Sequence, residues 1–255
     1  MNRDAPSNSS PSRFFRRGLF RPADYATLAY WAVVLLLVLA RRRAVPSWPW
    51  FLALHLGVLA GWILLCRLSS GWSPRASLGA RVLGSLLLVP LAFSTLRFTI
   101  SGINPHDVDA FLAGWDAWAC GIAPGLWLEP RMVPLATEVL QICYATFFFW
   151  PVVLGLLLCR HRDLVGLEHC WFALTLGFYL SYLGYIAFPA LGPRFFLASE
   201  FRLPLEGVWC FTALHDWINR AELIKRDCCP SGHTMMSLLY VYLAARHLPR
   251  LLWIL

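Results

Sequence analysis

The sequence predicts an all-α, polytopic membrane protein: a bundle of about six transmembrane helices, with one more helix lying in the membrane interface. Of its 255 residues 58% are hydrophobic and only 14% are charged, whereas roughly a quarter of residues are charged in soluble domains. Three long runs contain no Asp, Glu, Lys or Arg, namely Ala44–Cys66, Val139–Cys159 and His169–Pro193. About 20 apolar residues suffice to cross the hydrocarbon core, and a helix satisfies its own backbone hydrogen bonds in lipid.

The elements follow in order from the N-terminus. Residues 1–20 are rich in Ser, Pro and Arg and predict a disordered basic tail. Residues 21–104 predict a group of N-terminal membrane spans. A signal sequence would also begin with basic and apolar residues, but no small-residue cleavage site follows, so we interpret the first apolar run as a retained span. The predicted spans are 24–40, 48–66, 80–100, 135–158, 168–190 and 231–247, and a further apolar run begins at 249.

The net charge of +8 does not indicate nucleic-acid binding, because basic loops set the orientation of a polytopic protein in its membrane. By that rule the N-terminus is cytoplasmic, although Arg41–Arg43 then lie on the outer side. We therefore predict a multi-pass protein of the cell membrane, with residues 191–230 on the outer face.

The cysteines and acidic residues give weaker signals. No C-x-x-C pair occurs among the eight cysteines, which disfavours a zinc or redox site, and we expect no cofactor. Cys210 can pair with Cys228 or Cys229 in an oxidising outer loop, although free thiols are the simpler expectation.

An amphipathic pattern covers residues 106–130, where apolar side chains recur at helical spacing and Asp109 and Asp116 fall on the other side. This pattern predicts a helix in the interface plane. The two carboxylates also fit acid–base chemistry, but a solvated polar face is the simpler interpretation.

The strongest chemical signal is the polar segment KRDCCPSGHT at residues 225–234, between two apolar runs. Pro230 suits the first position of a helix, Ser231 can cap that helix, and Gly232 allows the backbone to come close to a ligand. The free N–H groups and positive dipole end of such a helix bind anions, phosphate above all.

Basic side chains accompany that helix start. His233 lies in its first turn and can give a proton to a departing alkoxide, while Lys225 and Arg226 add positive charge. Arg194 follows the fifth span directly, on the same side of the membrane, and an arginine fork suits phosphate oxygens. The sequence thus predicts a phosphate pocket that contains its own acid.

These motifs resemble those of a known family. PSGHT at 230–234 resembles the second signature motif of the type 2 phosphatidic acid phosphatase superfamily. PALGPRF at 189–195 resembles the first-motif region of its branch related to inositolphosphotransferases of sphingolipid synthesis, and residues 107–130 are similar to the segment before that branch's middle spans. The resemblance covers about residues 100–245. It implies a metal-independent phosphatase or phosphotransferase that acts on a phospholipid or other lipid phosphate through a phosphohistidine.

The resemblance also implies roles for single residues. Arg194 would hold the phosphate, Ser231 and Gly232 would donate hydrogen bonds to it, and His233 would protonate the leaving oxygen. The lysine that precedes the arginine in the usual first motif is absent, and Gly192 and Pro193 stand before Arg194 instead.

The third motif of the family supplies an arginine, a nucleophilic histidine and an aspartate, and we find no counterpart for it. His247 lies 14 residues after His233, about 21 Å along one helix, which is too far for a nucleophile. His215 can reach the site, but its surroundings do not resemble the motif. We therefore expect residues 105–255 to form a phosphatase-like membrane core that is truncated or lacks its nucleophile.

Several functions stay open. Water as second acceptor gives a phosphatase and an alcohol gives a transferase, and the motif chemistry is the same for both. A non-catalytic protein of the same fold that binds a phosphorylated lipid headgroup is the alternative. A transporter or structural protein with an accidental PSGH would need charged residues buried within its spans, of which few are visible; Arg97 and Glu138 both lie near predicted ends.

Overall fold

The computed structural model describes residues 18–147, 149–221 and 224–253, and these ranges contain helices, turns and loops but no strand. Residues 1–17 of the predicted tail lie outside them. The α-helices of the described residues are α1 (Pro22–Ala40), α2 (Trp48–Ser69), α3 (Pro74–Ile103), α4 (Asp109–Cys120), α5 (Pro124–Leu128), α6 (Pro134–Thr146), α7 (Trp150–Arg160), α8 (Leu164–Ala187), α9 (Pro193–Phe196), α10 (Phe211–Ala221) and α11 (Gly232–His247). Single 3-10 segments follow at Glu129–Arg131 and Pro249–Trp253.

The predicted all-α bundle is confirmed, with a smaller number of long spans in the described residues. Helices α1, α2, α3 and α8 are long and apolar enough to cross a membrane, and α6 with α7 forms a fifth span if this bent pair is counted as one. Helix α11 coincides with the predicted sixth span but has only 16 residues. The apolar run that begins at 249 forms the 3-10 segment.

Proline explains where many of these helices begin. It occupies one of the first two positions of α1, α2, α3, α5, α6, α7 and α9. A proline there gives up an N–H that has no partner within the helix, and its fixed φ matches the helix. In α3, however, Pro90 lies inside the helix.

Helix α8 lies at the centre of the bundle, packed against α1, α3, α7 and α11. One hydrophobic core surrounds Trp62, Trp171 and Met236, and a second surrounds Trp31 and Tyr179. The N-terminal spans and the later helices therefore share their cores through α8.

The two ends of the bundle differ in their polar contacts. The site end is formed by residues 101–138, 187–221 and 224–233, and the opposite end by residues 18–24, 66–81 and 160–168. A buried ion pair between Asp24 of α1 and Arg81 of α3 lies at the opposite end. There Arg81 also donates to the Ser69 hydroxyl at 3.1 Å, and Arg21 pairs with Glu168 of α8 at 2.9 Å.

The predicted amphipathic helix corresponds to α4. Its aromatic side chains Phe111, Trp115 and Trp118 are exposed, as expected for a helix in the interface plane. The prediction of a solvated acidic face was wrong for Asp109, which is buried, because its carboxylate accepts backbone hydrogen bonds from a loop distant in sequence.

Candidate functional site

Helix α11 begins at the PSGHT segment, as the sequence predicts. Ser231 is the N-cap, and its hydroxyl oxygen accepts a hydrogen bond from the Thr234 N–H at 3.3 Å. Pro230 precedes the cap instead of occupying the first helical position. Its ring packs against Gly184 of α8, where a Cβ atom would lie 2.5 Å from the proline Cδ. This close approach anchors the start of α11 on α8.

Gly232 serves the same packing. It is buried, and a Cβ atom added there would lie 2.2 Å from the Tyr185 hydroxyl and 2.9 Å from the Ser181 hydroxyl. No side chain larger than hydrogen fits at that spacing without a shift of these two side chains or of α11. The structure thus gives Gly232 a role in helix packing, in addition to the phosphate contact that the resemblance implies.

The His233 imidazole lies beneath aromatic side chains of α6 and the segment after it. It stacks on the Tyr144 ring with centroids 4.1 Å apart and an interplanar angle of 19°. The centroid of the Phe147 ring lies 4.3 Å from that of the imidazole. These two rings fix the plane of the imidazole, which is half-buried and borders a cavity inside the bundle.

That cavity has a volume of about 440 Å³ and is bounded by α3, α7, α8 and α11. It follows α8 from Leu167 to Tyr185 and meets Asp227, Gly232 and His233 at the site end. Most of the other side chains around it are aliphatic or aromatic. The site therefore combines a polar helix start with a long apolar space.

Arg194 belongs to a separate group of exposed or half-buried side chains, which we name the cationic cluster: Arg194, Phe195, His215, Asn219 and Lys225. Its guanidinium donates to the Asn219 side-chain oxygen at 2.8 Å and lies 3.3 Å from the His215 Nε2. Arg194 and Lys225 both face the Phe195 ring, at 5.2 and 5.3 Å from its centroid. Two cations and an imidazole thus share one exposed surface.

Arg226 points away from that cluster. It forms an ion pair with Asp107, with Nε and Oδ1 2.6 Å apart. It also donates to the Ser101 hydroxyl and to the carbonyls of Asn104 and Pro105 at 3.0 to 3.3 Å. The guanidinium donors are therefore engaged in tying the segment before α11 to the end of α3.

Three buried carboxylates hold the loop between α8 and α11, and sequence reasoning missed this role. Asp109 accepts from the N–H groups of Leu191 and Gly192 at 2.9 and 2.8 Å. Gly192 has a φ of 81°, in the region that favours glycine, and α9 with Arg194 starts directly after it. Asp109 therefore positions the turn that carries Arg194.

The other two carboxylates bind amides further along the same loop. Glu129 accepts from the N–H of Leu203 at 2.7 Å, and Glu138 accepts from the N–H groups before α10. The amide partners of Glu138 are Val208, Trp209, Cys210 and Phe211. The sequence feature that could have indicated these roles is the rarity of acidic residues in such an apolar chain.

The thiol of Cys210 also contacts Glu138, with Sγ and Oε1 3.0 Å apart. This hydrogen bond raises the pKa of the Cys210 thiol. All eight cysteines are free, so the disulfide considered between Cys210 and Cys228 or Cys229 does not form.

The predicted site residues therefore fall into three groups. Gly232 and His233 border the end of the cavity with Ser231 next to them, Arg194 and Lys225 lie in the cationic cluster, and Arg226 holds the end of α3. His247, already excluded as nucleophile by its distance, lies at the opposite end of α11, where its Nε2 is 2.8 Å from the His169 Nδ1.

No family model, curated protein or solved structure matches this chain. The family resemblance of the motifs accordingly stays a prediction.

Proposed function

We propose that this protein binds a lipid phosphate ester at the start of α11 and cleaves or transfers its phosphate, as a membrane lipid phosphatase or phosphotransferase of the type 2 phosphatidic acid phosphatase kind. The observation that carries the proposal is the continuity of the long apolar cavity with Gly232 and His233. A ligand that fills both parts needs a hydrocarbon portion and an anionic headgroup, which is the chemistry of a lipid phosphate.

The start of α11 suits the anionic headgroup. Backbone N–H groups in the first turn have no partner within the helix, and the helix dipole adds positive potential there. The N-cap hydroxyl of Ser231 is exposed next to them. The cationic cluster supplies Arg194 and Lys225 on the same end of the bundle, where they attract an anionic headgroup. We place this end on the outer face of the cell membrane.

The chemistry proposed for the site is phosphoryl transfer. A nucleophile attacks phosphorus and takes up the phosphoryl group, and the bond from phosphorus to the lipid alkoxide oxygen breaks. His233, held protonated by the bound anion, gives its proton to that oxygen. No residue is assigned as the nucleophile, which by the resemblance is a histidine of the third motif. Water then accepts the phosphoryl group in a phosphatase, and an alcohol accepts it in a transferase. The stacking of His233 on Tyr144 keeps the imidazole in one plane, so its proton is aimed at one position of the ligand.

A second function is favoured by the distribution of the other imidazoles. His215, the histidine of the cationic cluster, contacts Arg194 and Phe211, and His247 contacts His169 at the opposite end. The His247 imidazole also lies 3.8 Å from the Asp163 carboxylate, but this pair is at the far end of α11 from His233 and cannot attack a phosphate held there. This distribution favours a protein that binds the phosphorylated headgroup without catalysis.

One experiment separates the two functions. The full chain, purified and reconstituted in vesicles, is supplied with phosphatidic acid, and both lipid binding and release of inorganic phosphate are measured. For an enzyme, His233→Ala abolishes release, while His106→Ala, which changes an exposed loop histidine at the same end, leaves release unchanged. Binding without release identifies the non-catalytic protein. If the protein neither binds phosphatidic acid nor releases phosphate from it, both functions are contradicted.

A further inference from the structure

The cavity is long and narrow. It runs along α8 from Leu167 to Tyr185, which is about 27 Å at 1.5 Å per residue. This length approaches the roughly 30 Å thickness of the hydrocarbon core of a bilayer. A volume of about 440 Å³ distributed over that length forms a groove, not a wide chamber.

The groove is open to the side of the bundle. Leu86 of α3 and Val152 of α7 both border it and are 43% and 44% exposed. Trp171, Leu174 and Tyr182 of α8, at its floor, are buried. The gap between α3 and α7 therefore faces the region where lipid chains lie when α3 spans the membrane.

The end of the groove far from His233 offers a ligand only apolar surface. The indole N–H of Trp171 donates to the Ser85 hydroxyl at 2.8 Å, and both side chains are buried. The polar atoms of that wall are thus already paired with each other. An occupant gains from contact with carbon surfaces there, and a polar end would lose its hydrogen bonds to water.

The dimensions decide between two kinds of occupant. A transmembrane helix of a partner that filled this length, with a diameter of about 10 Å, would occupy about 2000 Å³. The groove is smaller than that. An extended hydrocarbon chain is much thinner and has no backbone polar groups to satisfy.

We propose that the groove binds one extended hydrocarbon chain of the lipid ligand, with its headgroup at the start of α11 and its tail at the Trp171–Ser85 wall. Placement of the headgroup rests on the proposed function. The ligand class is thereby narrowed to lipids that have at least one long, straight chain. Any second chain stays in the bilayer.

Gly155 of α7 gives a clean test. It borders the groove, and a Cβ atom added there meets no atom within 4 Å. Gly155→Leu therefore fills groove space without a clash inside the protein. Gly61 of α2 also has no atom within 4 Å of an added Cβ, and it does not border the groove. Gly61→Leu is the matched control, because it adds the same side chain to another apolar helix.

The probe is a hexadecyl phosphate with a photoreactive diazirine at the tail end, used on the full chain in nanodiscs. Cross-linked peptides are identified by mass spectrometry. We expect labelling at the groove wall near Trp171, competition by unlabelled hexadecyl phosphate, weaker competition by octyl phosphate, and about a fivefold loss of groove labelling in Gly155→Leu. Gly61→Leu should label as the wild type does.

Two results would overturn the proposal. One is labelling confined to outward-facing side chains such as Leu87, which is 74% exposed. The other is groove labelling that is unchanged in Gly155→Leu. A parallel probe that carries a hydroxyl group in place of the phosphate separates this proposal from the proposed function. If both probes label the groove equally, the chain site is supported and recognition of phosphate at α11 is contradicted.

Discussion

At the opposite end of the bundle, acidic side chains pair with arginines. At the site end, most of the buried carboxylates instead accept hydrogen bonds from backbone amides. Asp24 neutralises Arg81, and Glu168 pairs with Arg21. At the site end Asp109 and Glu138 bind N–H groups of the loop between α8 and α11. The first arrangement joins helices to each other, and the second shapes a loop.

The exposed cations of the site end include those of the cationic cluster. Because the carboxylates of the site end are engaged by amides, Arg194 and Lys225 are left exposed beside Phe195. The exception is Arg226, which pairs with Asp107. The comparison teaches that the buried charges of the opposite end join helices, whereas Arg194 and Lys225 of the site end are exposed and can meet an anionic ligand.

The largest expected effect comes from breaking the ion pair at the opposite end. Asp24→Ala leaves the Arg81 guanidinium buried, at 2% exposure, without its carboxylate. Removal of one partner of a buried pair costs about 3–5 kcal/mol of unfolding free energy. Unfolding in detergent, followed by circular dichroism, measures this loss.

The double variant Asp24→Ala/Arg81→Met is the control for that prediction. It removes both charges, and replacement of a whole buried pair by apolar groups is often close to neutral. Most of the lost stability should therefore return. A single variant as stable as the wild type would show that the pair does not lock α1 to α3.

A smaller and more local effect is expected at the site end. Glu138→Gln removes a charged acceptor from four amides that precede and begin α10. The loss is about 1–3 kcal/mol, and it should fall on the loop because the partners belong to the loop. Hydrogen exchange of residues 208–211 should accelerate while exchange within α8 stays unchanged.

The thiol of Cys210 gives an independent measurement of the same contact. Its pKa is raised in the wild type by the hydrogen bond to Glu138, so less thiolate forms at a given pH and alkylation is slow. Glu138→Gln should accelerate maleimide labelling of Cys210. Glu200→Gln, a change at an exposed residue, is the control, and equal labelling rates in all three proteins would contradict the contact.

Much of the fold could be predicted from the sequence, because charge-free apolar runs report membrane spans directly. Helices α1, α2 and α8 follow the predicted spans 24–40, 48–66 and 168–190 within a few residues. The predicted span 135–158 was too simple, since α7 starts anew at Trp150, and Pro151 in its first turn was the available signal. Proline at position 74 likewise begins α3 earlier than predicted.

The site was predictable only where its contacts are local. The Ser231 cap depends on a residue three positions away, and the sequence predicted it. Lys225 and Arg226 are adjacent, and only Asp107, 119 positions from Arg226, assigns them different roles. The amides bound by Asp109 and Glu138 are 70 to 83 positions away. Backbone N–H groups are present at every residue but proline, so no residue type marks such partners.

The last prediction sharpens the comparison between neutralised and exposed cations. Arg194→Ala should weaken binding to vesicles that contain phosphatidic acid about tenfold, because a hydrogen-bonded charge is worth about 1.5–3 kcal/mol. Arg226→Ala removes the same charge within the same end of the bundle, but from a guanidinium already engaged by Asp107. The affinity of Arg226→Ala for these vesicles should change less than twofold, and its melting temperature should be slightly lower than that of the wild type. Added salt should reduce the difference between the wild type and Arg194→Ala, since exposed charges are screened. Equal losses in the two variants would mean that net charge alone attracts the lipid, and that the pairing of Arg226 does not distinguish it from Arg194.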